Sequence, residues 1–125
     1  MTVRNSSAGF FPGSYSEGRP RFREAAAAAG ADIVSYANPA SGPDGVALST
    51  VTAWLGPEGA GRLLLVMAGT HGAEGFCGSG IQTGWLKSGL FTHLPADTAV
   101  LLVHAINPYG FAWVRRVNED NKIGR

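Results

Sequence analysis

Charge is scarce in this chain of 125 residues: 15% are Asp, Glu, Lys or Arg, and the formal net charge is +1. So even a balance gives no electrostatic grip on nucleic acid or on an anionic membrane, and neither is expected as a partner. Cysteine is scarcer still. Cys77 is the only one, so no internal disulfide can form, which fits a reducing compartment. Long hydrophobic runs are also missing. The longest, Leu63 to Ala68, is far shorter than the roughly 20 residues a membrane helix needs. Residues 1–11 contain no apolar core of signal-peptide length. A cytoplasmic, soluble protein is the expectation. No internal repeat and no G-x-S-x-G nucleophile elbow is present.

What is there is a globular composition, 45% hydrophobic with 18 glycines, of a length that makes one domain. Residues 1–14 read as irregular, with a turn at Pro12-Gly13. Ser16 is placed to cap a helix, with Pro20 in its first turn and helix formers from Arg21 to Ala29 up to Gly30. Phe22, Ala25, Ala26 and Ala29 fall on one face at i, i+3, i+4, i+7. A short strand over 32–37 follows, then dense turn chemistry over 41–45 and a half-exposed strand over 46–55. Six apolar residues without alternation, Leu63 to Ala68, read as a central strand covered on both faces. A glycine-weakened helix over 76–88 and a second buried strand over 98–106 complete a βαβ unit with parallel strands. The expected fold class is therefore α/β: three layers, α-β-α, around a mixed, mainly parallel sheet with an antiparallel edge.

The chemistry gathers just beyond the first buried strand, in Gly69-Thr70-His71-Gly72-Ala73-Glu74-Gly75. An imidazole and a carboxylate at i, i+3 on a turn can meet one zinc ion at about 2.0–2.2 Å. A bare H-x-x-E is common by accident. Here it follows a buried strand and is flanked by glycines that let a ligand approach the backbone, at the strand ends where open α/β sheets bind ligands. Parallel pairing brings the residues after Asn107 to the same rim. Other candidates are weaker. Cys77 has no base beside it and reads as a buried, inert thiol. His104 lies in an apolar strand and reads as a core histidine, and His93 falls in a loop. Gly78-Ser-Gly80-Ile-Gln-Thr-Gly84 is a poor match to a dinucleotide-binding loop, because it does not directly follow a strand.

Gly69-Thr70-His71-Gly72-Ala73-Glu74-Gly75, Asn107-Pro108-Tyr109-Gly110-Phe111 and Arg115-Arg116-Val117-Asn118-Glu119-Asp120-Asn121 together resemble the zinc carboxypeptidase superfamily. That superfamily includes carboxypeptidase A-like peptidases and the succinylglutamate desuccinylase/aspartoacylase relatives, and the likeness is greatest to an uncharacterised bacterial branch. The resemblance spans about residues 10–121. It implies that His71 and Glu74 bind Zn²⁺, and that Arg115 or its neighbour Arg116 stabilises an oxyanion. Asn107 is the substrate-side candidate, although the Pro and Gly after it also read as plain turn chemistry. Arg115-Arg116 without the motif would be a solvated surface pair. The implied reaction is cleavage of a peptide or N-acyl amino-acid amide bond in a small substrate.

The pattern departs from the family at its end. After Asn121 the family continues into Asp-Leu-Asn-Arg, whereas Lys122-Ile123-Gly124-Arg125 stands here. The third zinc ligand and the general base come from later strands in that family. Residues 1–125 are thus expected to be the N-terminal portion of such a domain, truncated, with an incomplete zinc site and feeble or no activity. An open sheet edge would favour self-association. Two other readings stay open: a non-catalytic α/β binding or interaction module, and a small domain binding a nucleotide through Gly78 to Gly84.

Overall fold

The elements run α1 (Tyr15–Ala28), β1 (Asp32–Ser41), β2 (Ala47–Leu55), β3 (Arg62–Ala68), α2 (Gly75–Ser88), β4 (Thr98–His104) and α3 (Pro108–Trp113). They are drawn from a computed structural model that describes residues 7–123. The first part of the irregular stretch expected over 1–14, and the last two residues of the chain, lie outside the described residues.

Helix α1 starts sooner than its sequence predicts. Ser14, not Ser16, is the N-cap, its Oγ accepting from the Glu17 N–H at 3.1 Å. Pro20 therefore sits in the second turn. Ser16 and Pro20 are both exposed, so the carbonyl that loses its proline partner is open to water. At the other end Gly30 takes the left-handed conformation expected of it, with φ +80°. Phe22, Ala25 and Ala26 are buried as the helical spacing requires.

The sheet is mixed, in the order β1-β2-β4-β3. β1–β2 and β2–β4 pair antiparallel, and β3–β4 pair parallel, so β3, α2 and β4 form the anticipated βαβ unit. β1 runs on to Ser41, past Asn38-Pro39, with a register shift between Asn38 and Ser41. An edge strand tolerates this, because the proline lacks only a donor the ladder does not use. Helices α1 and α2 lie on one face. Phe22, Ala25, Ala26 and Leu86 pack there against Val51, Ala53 and Leu55 of β2 and Val100 and Leu102 of β4.

The opposite face has no helical layer among the described residues. Val34, Tyr36, Leu63, Leu65 and Met67 stand exposed on it. This corrects the expectation for residues 63–68. The run is a strand, but an edge strand, not a central one, with Leu63 to Leu65 about half exposed. Its uniform apolar pattern matches burial on both faces, yet β4 is its only neighbour among the described residues. Among the described residues no helix is long and apolar enough to cross a membrane.

Candidate metal centre

The rim where β3 and β4 end is built by backbone hydrogen bonds that extend their ladder. Ile106 N–H donates to the Ala68 carbonyl, and Asn107 N–H to the Gly69 carbonyl, each at 2.9 Å. The chain leaving β3 and the chain leaving β4 therefore run out side by side. His71 is extended (φ −93°, ψ 122°), and Gly72–Glu74 then form a single tight turn before α2 begins at Gly75. Glu74 N–H donates back to the His71 carbonyl at 3.0 Å, closing that turn. Histidine and glutamate thus leave one rigid loop.

That loop is stitched to the segment after α3. Ala73 N–H donates to the Arg115 carbonyl at 2.9 Å, and Gly72 N–H to the Arg116 carbonyl at 3.4 Å. Gly72 is required by sterics, since a Cβ there would overlap the Gly110 backbone and lie 2.5 Å from the Arg115 oxygen. Asn107 caps α3, its Oδ1 accepting from Gly110 N–H at 2.8 Å. Arg115 N–H donates to the Gly110 carbonyl at 2.7 Å, bringing the chain back against the His71 turn.

The side chains divide into two groups. His71 is half-buried, and its Nδ1 is buried with no hydrogen-bond partner. Asn107 is buried, and its Nδ2 likewise has no partner. The Glu74, Arg115 and Arg116 side chains are exposed. Arg115 Nη2 donates to Asn121 Oδ1 at 3.4 Å, so it reaches into the 118–122 turn. Asn118 organises that turn, its Oδ1 accepting from the N–H groups of Asp120 (3.0 Å) and Lys122 (2.8 Å). Asn118 is not among the site residues expected from sequence. Its signal was the Asn-rich run, since asparagine side chains readily close turns on their own backbone.

A buried, unpaired ring nitrogen costs about 1–3 kcal/mol unless something binds it. A metal ion ligated at Nδ1 would remove that cost, and the Glu74 carboxylate supplies a hard oxygen ligand of the right class. His71 and Glu74 therefore fit as two ligands. Among the described residues no group of three or more His, Cys, Asp and Glu could hold a metal ion.

The remaining candidates are placed as follows. Cys77 is exposed, correcting the expected buried thiol, because it lies on the side of α2 turned away from the sheet. His93 is exposed. His104 is a core residue. Its Nε2 lies 2.7 Å from Ser79 Oγ, its ring stacks on Phe22 with centroids 4.7 Å apart, and burial lowers its pKa to about 4. Gly78 to Gly84 lie inside α2 and form no loop. A Cβ at Gly78 would sit 2.5 Å from the Ala68 Cβ, and Gly80 lies against the Phe11 ring. Close packing explains these glycines, and the nucleotide reading falls with the loop.

A family model described as "Protein of unknown function (DUF2817)" matches residues 11–122. No curated protein matches significantly. Among solved structures, the Tannerella forsythia glutaminyl cyclase is similar at a TM-score of 0.56 and 15% identity, over 94% of this chain and 50% of that one. The Fimbriiglobus ruber glutaminyl cyclase gives 0.53 and 13%, over 78% and 40%. The chain thus spans half or less of those structures, and identities this low speak to fold alone.

Proposed function

We propose that this chain, which belongs to the DUF2817 family, carries the N-terminal part of a metal-dependent hydrolase site of the zinc carboxypeptidase type. The observation that carries this reading is the buried His71 Nδ1 without a partner, on the same tight turn as Glu74. Zinc held there would polarise a scissile carbonyl and activate water near neutral pH.

The chain's own residues do the rest by position. His71 presents Nδ1 as a lone pair, which requires the proton on Nε2. Glu74 offers an exposed carboxylate one turn on. Gly72 lets the His71 turn pack directly on the Gly110 and Arg115 backbone, which holds that turn in place. Arg115 or Arg116 supplies a fixed cation for a developing oxyanion. Asn107 brings a buried amide with an unused Nδ2 donor to the substrate side. The substrate class is a small peptide or an N-acyl amino acid, cut at its amide bond.

A second reading, a non-catalytic α/β binding module, is favoured by the lack of a third ligand beside His71 among the described residues. Long-range ¹H–¹⁵N NMR of the imidazoles separates the two. One equivalent of Zn²⁺ is expected to move the His71 Nδ1 resonance and leave those of His93 and His104 in place. A folded chain whose His71 nitrogens do not respond is the binding module.

A further inference from the structure

We propose that the polar pocket between α1 and the β1–β2 side of the sheet binds a phosphate group, as the free ion or as a small monoester. Ser16, Arg19, Pro20 and Arg23 of α1, Ser35 of β1 and Ser49 of β2 line it, around a volume of about 370 Å³. That is within the size range of small-ligand pockets. Five of the six side chains carry hydrogen-bond donors, two of them as guanidinium groups, and no carboxylate lines the pocket. Such a lining suits an anion. A phosphate group offers three or more acceptor oxygens in a tetrahedral array. It can therefore accept from a helix and two strands at once, which suits it better than a planar carboxylate.

Arg19 is the fixed part of the site. Its Nη1 is shared among Tyr15 Oη at 2.9 Å, the Ala47 carbonyl at 2.8 Å and Ser49 Oγ at 3.0 Å, and its guanidinium stands 5.0 Å from the Tyr15 ring centroid. All of these partners are neutral, so the charge is held in place without being neutralised. Its Nε and Nη2 donors have no partner among the described residues. Ser49 is only 8% exposed, and the proton of its hydroxyl has no acceptor among the described residues. Arg23 stands one helical turn on, exposed and without an ion pair among the described residues. Like charges at i, i+4 repel, and neither acid on α1 offsets them. Glu17 pairs with Arg21 at 3.0 Å, and Glu24 lies on the α2 side near Lys87. An anion between Arg19 and Arg23 removes that repulsion.

One short segment builds the whole pocket. Its lining residues fall between Ser16 and Ser49. On its outer side β1 is a sheet edge, where Pro39 and the register shift between Asn38 and Ser41 keep a further strand from pairing. No residue is shared with the His71–Glu74 turn, so binding here requires no metal.

NMR titration of the ¹⁵N-labelled full chain with inorganic phosphate, against chloride at the same ionic strength, tests this. The Nε–Hε signals of Arg19 and Arg23 and the amides of Ser35 and Ser49 should shift together and saturate, while the Arg21 side chain stays in place. The thermal midpoint should rise with phosphate concentration. Arg23→Gln should weaken binding about tenfold or more. It alters an exposed side chain with no partner, so the fold is kept. Lys87→Gln, which removes the same charge away from the pocket, should leave the affinity unchanged. Methyl phosphate separates the two sources: tighter binding than inorganic phosphate marks a monoester as the ligand, and weaker binding marks the free ion. Shifts that never saturate, shifts that chloride reproduces, or an affinity unchanged in Arg23→Gln would overturn the proposal.

Discussion

His104 shows how one residue ties packing to pH. It is fully buried between Phe22 and Ser79, and burial lowers its pKa from 6.5 to about 4. In the unfolded chain the same imidazole protonates near 6.5. Above that pH neither state binds the proton, so His104 leaves stability constant. Between about 6.5 and 4 only the unfolded state binds it, so stability falls as the pH drops. Below about 4 both are charged and the loss levels off, at roughly 3 kcal/mol in total. Urea unfolding at a series of pH values should show this slope in the wild type. The double substitution His104→Phe with Ser79→Ala should flatten it. The core placement of His104 was legible from its apolar flanks. The orphaned Nδ1 of His71 was not, because it depends on which neighbours the fold brings near that ring.

At the scale of elements, α2 fixes the site, since it begins immediately after Glu74. It is pinned by Gln82, which is buried and donates from Nε2 to the carbonyls of Val66 on β3 (3.1 Å) and Val103 on β4 (3.2 Å). Gln82→Ala should lose about 1–3 kcal/mol, read as a lower urea midpoint at unchanged slope. Helix and strand identities were legible over most of the chain, because period and punctuation set them locally. Placement within the sheet was not. Leu63 to Ala68 has the composition of a central strand, yet no pairing partner beyond β4 lies among the described residues, and partners are a long-range property. The short helix α3 was missed for a related reason. Asn107-Pro108 reads as a turn, and the same Asn side chain that closes a turn caps a helix when Gly110 N–H lies in reach.

For the whole molecule, the α/β class and mixed sheet were readable from the order of periodic segments. So was the juxtaposition of the His71 turn with the segment after Asn107, because parallel strands end on one rim. The complete site was not readable: His71 and Glu74 offer at most two metal ligands, and the chain spans half or less of the solved structures of similar fold. The central claim is that these two residues form a metal site. Calorimetric titration of the full chain with Zn²⁺ tests it most directly. One ion per chain should bind, with lower affinity than a site of three or four protein ligands. His71→Ala and Glu74→Gln should each abolish the heat while the circular dichroism stays that of the wild type. A folded chain that takes up no zinc, or binds it equally well in both variants, would contradict the account.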